Sequence, residues 1–366
     1  LRVAVPQAAR INFKVTVNED IVTLDGGEGE GGGQILRTAL SLSLITGKRL
    51  RIVNIRAKRP NPGLRAQHLE CVQAAQKISD AQVEGAALGS KEISFFPRTL
   101  SAGNYNFEIR TAGATSLLFQ TILIPLAFCP PEAGESALTL KGGTHALWAP
   151  TFDYLSRHFR DFLAKVGFSF DVTLLRAGFY PEGGGEILAK IRPKSALQPL
   201  SLTSRGDLKS LEVISSVANL PLSIAERQNK KTSEVLSREG FKPSFSVSEL
   251  SAVGKGTHIA VVARFDGGGC CYTALGERGK PAEKVAEEAA QKFINFVKTP
   301  ATVDRYLADQ LMLPLSLVGS KSEYTTECIT DHIITNARTI KTFLSVKIEL
   351  KGERDTFGTV AISPES

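Results

Sequence analysis

The chain is poor in the residues that staple small proteins: its 366 residues hold five cysteines, one methionine and one tryptophan. Cys71, Cys129 and Cys328 are scattered, Cys270 and Cys271 adjoin, and none falls in a C-x-x-C pair. No disulfide framework is expected, and the thiols suit a reducing compartment: the cytoplasm, or the nucleus in a eukaryotic cell. H-E-x-x-H and H-x-H spacings are missing, so no tightly held zinc is expected; nor is there a G-x-S-x-G elbow, which argues against serine hydrolase chemistry. No apolar run reaches the ~18 residues of a membrane span. The longest, residues 117–128, is broken by Gln120, Thr121 and Pro125, so a membrane is not an expected partner. Residues 1–20 lack the long apolar core of a secretory signal and read as an extension or an expression remnant.

What is present is an ordinary globular composition, 42% hydrophobic and 22% charged. That much apolar side chain can offset chain entropy in about two or three compact units. Forty-four basic against 37 acidic residues give a formal charge of +7, which suits phosphate-rich partners and equally a plain basic surface.

From Ile21 onward short β-rich runs alternate with helical stretches, the pattern of an α+β or α/β protein. Three helices read as apolar nearly all round and therefore buried: residues 34–45 after a triple glycine and before Gly47, residues 115–128 after Gly113, and residues 303–318 before Gly319. An amphipathic helix accompanies each, at 63–79, 149–166 and 281–296. Two helices with flanking strands, three times over, predict a repeat of about 80 residues and one large domain of three like units. The runs 168–175 and 186–191 around Gly183, Gly184 and Gly185 predict a hairpin. Residues 197–274 interrupt the repeat as a small inserted domain, with linkers at 196–199 and 266–269. The large domain is then 21–196 and 275–352, and 353–366 a C-terminal tail.

Several passages could carry chemistry. Glu30-Gly-Gly-Gly-Gln34 has neither P-loop nor dinucleotide-turn spacing. It bares backbone N–H groups at a helix start, an anion cradle with Glu30 beside it for a divalent cation, or else a tight turn before a buried helix. Residues 56–68 gather Arg56, Lys58, Arg59, Arg65, Gln67 and His68 around a Pro/Gly loop, either a phosphate grip or a solvated basic loop. His145 in a loop, His158 on an amphipathic helix and His258 at a strand start read as structural. His332 stands apart, with Asp331 next to it and Asn336 one turn on, and reads as reactive or as a satisfied core histidine.

Together these residues resemble a known family. Glu30-Gly-Gly-Gly-Gln34-Ile-Leu-Arg37, Ile55-Arg56-Ala-Lys-Arg59, Pro62-Gly-Leu-Arg-Ala-Gln67-His68-Leu69, Gly178-Phe-Tyr180-Pro-x-Gly-Gly-Gly185, Tyr306-Leu-Ala-Asp309-Gln310-Leu and His332-x-x-Thr-Asn336 occur in the order seen in the RNA 3′-terminal phosphate cyclases. The likeness runs from about residue 22 to 350, thins in the inserted segment and is absent from 1–20.

The resemblance implies an α+β fold: a large domain of three units, each a four-stranded sheet with two helices, plus a small inserted α/β domain. It implies an enzyme that uses ATP and divalent magnesium or manganese to turn an RNA 3′-phosphate end into a 2′,3′-cyclic phosphate. His332 would carry AMP covalently and pass it to the RNA end. Glu30 would touch the metal and the ribose; Gln34, Arg37, Gln67, Gln120, Asp309 and Gln310 the nucleotide and its phosphates. Tyr306 would stack on adenine with Pro150 opposite, and Arg56, Arg59 and His68 would grip phosphates of ATP or of the RNA end. The rival within the superfamily is a non-catalytic ribosome-assembly factor that binds pre-rRNA; the enolpyruvyl transferases share the repeated-unit architecture but not these motifs.

Overall fold

The computed structural model describes residues 21–29 and 31–365, so the expectations for residues 1–20 and for Glu30 lie outside the described residues. The fold is mixed α+β. Among the described residues the strands form four sheets of four.

The first sheet holds β1 (Ile21–Asp25), β2 (Arg49–Val53), β3 (Gln82–Glu84) and β4 (Ile93–Phe96), with α1 (Gln34–Thr46) and α2 (Ala66–Ser79) as its helices. The second holds β5 (Asn104–Glu108), β6 (Ser136–Gly142), β7 (Phe170–Arg176) and β8 (Gly185–Ile191). Its helices are α3 (Thr115–Ala127) and a rod made of α4 (Phe152–Tyr154), a π-helical turn and α5 (Arg160–Val166). After β9 (Ser201–Leu202) come β10 (Leu208–Ala218), α6 (Ser223–Arg238), β11 (Ser244–Glu249), β12 (Gly256–Phe265), β13 (Gly268–Leu275) and α7 (Ala282–Val297). The chain closes with α8 (Arg305–Gln310), α9 (Met312–Ser316), β14 (Ser322–Thr326), α10 (Asp331–Phe343), β15 (Val346–Lys351) and β16 (Gly358–Pro364).

The orders β1-β2-β4-β3, β5-β6-β8-β7 and β9-β14-β16-β15 follow one rule, with the first pair parallel and the others antiparallel. The fourth sheet, β11-β10-β12-β13, is built differently. α1 packs against α2, α3 and α10, and its Leu36, Leu40, Leu42 and Leu44 are buried, as its apolar run requires. Gly47 ends it in the left-handed region at φ 72°, a conformation without penalty for glycine.

Three boundaries differ from the sequence reading. Residues 281–296, expected in the large domain, form α7, which packs on α6, β12 and β13 through Val285, Ala289 and Phe293. Amphipathic spacing fixes which face of a helix is apolar but not which sheet covers it, and α10 takes the place by the last sheet. Residues 266–269 are not a linker, because Phe265 pairs with Gly268 across the turn joining β12 to β13; β9, within the expected insert, pairs in parallel with β14. The expected tail 353–366 contains β16, which lies between β15 and β14 with Val360 and Ile362 buried.

Candidate active site

Two helix starts converge. Gln34 is the first residue of α1 and His332 the second of α10, and the Gln34 side chain reaches Nδ1 of His332 through Oε1. The same amide donates through Nε2 to Asp309 Oδ2 at 2.7 Å, and that oxygen lies 4.0 Å from His332 Nδ1. A carboxylate only accepts, so the Gln34 NH2 must face Asp309 and its oxygen must face the ring. His332 therefore donates from Nδ1, and the neutral ring carries its lone pair on Nε2. The His332 side chain is 42% exposed while Gln34 is buried, so the ring is reachable and its support is not.

Further bonds lock this set. Thr38 Oγ1 donates to Asn336 Oδ1 at 2.7 Å, and Asn336 Nδ2 donates to the Asp309 carbonyl at 3.0 Å, tying α1, α10 and α8 together. Gln310 Oε1 accepts from Gln120 Nε2 at 2.6 Å and from the Tyr154 hydroxyl at 3.1 Å. Its oxygen so committed, Gln310 presents its NH2 as a donor. Burial, and then the charges of Asp304 and Asp309, push the Tyr154 phenol well above its usual range, which keeps it a donor.

The glycine turn before α1 allows close approach. A Cβ on Gly29 would lie 2.2 Å from Thr335 Oγ1 on α10, and one on Gly33 would lie 2.3 Å from His68 Nε2. No described side chain caps α1, so its first N–H groups and the positive end of its dipole are available to an anion near His332.

Gln34, Arg37, Gln120, Pro150, Tyr306, Asp309, Gln310 and His332 line one cavity of about 570 Å3. Sequence reasoning missed other walls of it. Trp148 is 98% exposed with φ 61°, an apolar ring held out to solvent in a backbone conformation that non-glycine residues rarely adopt. Lys280, just before α7, and Glu288 and Lys292 on α7 reach in, and Glu288 accepts from Lys280 at 2.6 Å and from Lys292 at 2.9 Å. Tyr306 is positioned by Asp304. That wholly buried carboxylate caps α8, accepting from the N–H of Tyr306 and of Leu307 at 2.9 Å, and meets His158 Nε2 at 2.8 Å and the Cys271 N–H at 3.1 Å.

Four expected residues sit outside the cavity walls. Gln67 Oε1 accepts from the Ala114 N–H at 3.0 Å and joins the starts of α2 and α3. His68 is buried behind Gly33, its Nδ1 accepting from the Arg65 N–H at 3.3 Å. Burial first, then Arg37, Arg56 and Arg65, lower its pKa to about 3, so it is a neutral ring and not a phosphate-gripping cation. Arg56 donates to the carbonyls of Asn61 and Gly63 at 2.6 and 3.0 Å and holds its own loop closed. Arg59 is exposed on that loop.

The family model of RNA 3′-terminal phosphate cyclase matches residues 28–350. This chain belongs to that family. Curated relatives bearing the name RNA 3′-terminal phosphate cyclase include the protein of Caldivirga maquilingensis, 42% identical over 335 residues, covering 90% of this chain and 94% of that one. The Methanopyrus kandleri protein is 38% identical over 352 residues, covering 94% and 99%, and the Ralstonia nicotianae protein 43% identical over 336, covering 91% and 94%. The matched span contains all of the cavity residues named above, including those on and just before α7. Among the described residues no helix is long and apolar enough to cross a membrane.

Proposed function

We propose that the protein cyclises RNA 3′-phosphate ends at the expense of ATP, through a covalent enzyme-(histidinyl)-AMP and then an RNA 3′-adenylate. The observation that carries this is the Asp309–Gln34–His332 chain, which leaves the nucleophilic lone pair on Nε2 at the rim of a cavity fit for a nucleotide. The cavity falls within the ~300–1,000 Å3 of small-molecule sites. Tyr306, Trp148 and Pro150 offer flat apolar surface for a base, and Arg37, Lys280 and Lys292 offer cations for a triphosphate.

In the first step His332 Nε2 bonds to the α-phosphorus of ATP and pyrophosphate leaves. A 3′-phosphate oxygen of the RNA then attacks the AMP phosphorus and the imidazole departs. Finally the vicinal 2′-oxygen attacks the 3′-phosphorus, AMP leaves, and the hydroxyl proton goes to solvent. A terminal phosphate has no good leaving group, and adenylylation installs one. Negative charge builds on phosphate oxygens at each step, between the positive ends of α1 and α10 and beside Arg37. The hard carboxylate oxygens of Asp309 suit magnesium or manganese, with Glu30 as a further ligand; such an ion supplies charge neutralisation to the polyphosphate.

A second, wider groove of about 1,610 Å3, lined by Tyr180, Lys255 and Arg278, shares Leu147, Leu275, Glu277 and Lys280 with the nucleotide cavity. Cations interleaved with an exposed aromatic suit a single strand whose 3′ end enters the shared wall. The three sheets of like order are, in this reading, three copies of one unit, with the differently ordered sheet inserted. The assembly-factor alternative is not favoured, since the relatives carry the cyclase name. The test is ATP- and metal-dependent conversion of a 3′-phosphorylated oligoribonucleotide to a phosphatase-resistant end. An end that stays phosphatase-sensitive under all conditions overturns the proposal.

A further inference from the structure

Three buried groups face one another where the inserted unit meets the body. His145 lies in the loop after β6, Asp153 in α4 and His258 on β12, and their exposures are 1%, 8% and 0%. His258 Nε2 is 3.2 Å from Asp153 Oδ2, and His145 Nε2 is 3.6 Å from the same oxygen. Neither contact has hydrogen-bond geometry: Nε2 of both rings, and Nδ1 of His258, are left without a hydrogen-bond partner. An imidazolium sharing its proton with this carboxylate would draw in to about 2.7–2.9 Å with the N–H in line.

We propose that His145, Asp153 and His258 bind one divalent transition-metal ion of the zinc class, which ties the inserted unit to the body. Zinc–nitrogen and zinc–oxygen bonds of ~2.0–2.2 Å in a tetrahedron place ligand atoms about 3.3–3.5 Å apart. The two edges that run to Asp153 Oδ2, 3.2 and 3.6 Å, bracket that spacing. Among the described residues this is the only group of three or more histidine, cysteine, aspartate or glutamate side chains whose ligand atoms all lie within 4.8 Å of one another.

Two of the three, His145 and Asp153, are held from behind. His145 Nδ1 lies 2.8 Å from Thr144 Oγ1, which is itself fixed by the Gly178 N–H at 2.9 Å, and the ring stacks on Phe179. In the tautomer that donates from Nδ1 to that hydroxyl, the His145 lone pair lies on Nε2, facing Asp153. The second carboxylate oxygen of Asp153 accepts from Arg157 Nε at 3.3 Å. Two imidazoles and one carboxylate favour zinc, cobalt or nickel over magnesium or calcium, which take oxygen ligands. His145 also lines the wide groove, from which a water can complete the coordination.

The experiment uses the tag-free protein, incubated with Zn2+ or Co2+ and then passed over a chelating resin, with retained metal read by mass spectrometry. About one equivalent is expected in the wild type and in His332→Ala, and a several-fold loss in His258→Asn. Cobalt should give the wild type the visible bands of a four-coordinate nitrogen and oxygen site, a readout that does not depend on the variant folding. Zn2+ should raise the thermal midpoint of the wild type but not of His258→Asn. Wild type that retains no metal and gives no cobalt bands, or His258→Asn that retains a full equivalent, overturns the proposal.

Discussion

The amide oxygen of Gln34 accepts the Nδ1 proton of His332, so a residue at the start of the first helix sets the tautomer of a residue almost 300 positions later in the chain. The interaction is possible because α1 and α10 pack side by side with their N-termini at the same end of the core.

Gln34→Ala removes the acceptor and frees the ring to rotate and to take the other tautomer. Adenylylation should slow by about 10²-fold, the scale of a small misplacement of a reacting atom, while the thermal midpoint moves little. Single-turnover labelling kinetics check this; a rate equal to wild type contradicts the assigned role.

Tyr306→Ala should weaken ATP binding by about 10- to 100-fold, the range of one base–aromatic stack, and Tyr306→Phe should bind normally. Trp148, the only tryptophan, reports binding directly through its emission. A titration in which Tyr306→Ala matches wild type would remove the base from this wall.

Asp304 should matter for stability as well as for Tyr306. Asp304→Asn replaces a buried carboxylate that takes four hydrogen bonds, including one at His158, and should leave a buried donor unmatched at a cost of about 1–3 kcal/mol. Urea unfolding measures it, and a loss under 1 kcal/mol, within the range of an exposed pair, would show that the network is replaceable.

His68 gives an acid sensitivity with a definite sign. Its folded pKa of about 3 lies below the ordinary 6.5, so between these values the unfolded chain binds a proton that the folded ring refuses. Stability should therefore fall as pH drops from 6.5 toward 3, with no contribution from this group above 6.5. His68→Asn keeps an acceptor for the Arg65 N–H and should flatten that limb. Unfolding midpoints measured against pH decide it; parallel curves for variant and wild type would be inconsistent with a buried neutral ring.

Much of this was legible in the sequence, for physical reasons. The apolar residues from Ile35 to Leu44, stopped by Gly47, could form only a buried helix, and Gln34, Asp309, Gln310 and His332 stood in motifs of family spacing. The rest depended on packing that spacing does not encode. Lys292 belongs to a helix whose partner sheet could not be read from its amphipathic period, Lys280 sits in the turn just before that helix, and Trp148 sits in a loop with no pattern of its own. Gln67 and Arg56 are polar and near the right motifs, yet their side chains are taken by backbone groups. His145, Asp153 and His258 were invisible because no local spacing joins a loop, a short helix and β12.

The central claim is that His332 is the nucleophile. Incubation with ATP labelled at the α-phosphate, in the presence of magnesium or manganese, tests it most directly. About one label per chain is expected, acid-labile and alkali-stable as a phosphoramidate should be, and none in His332→Ala. Undiminished labelling of His332→Ala would contradict the account.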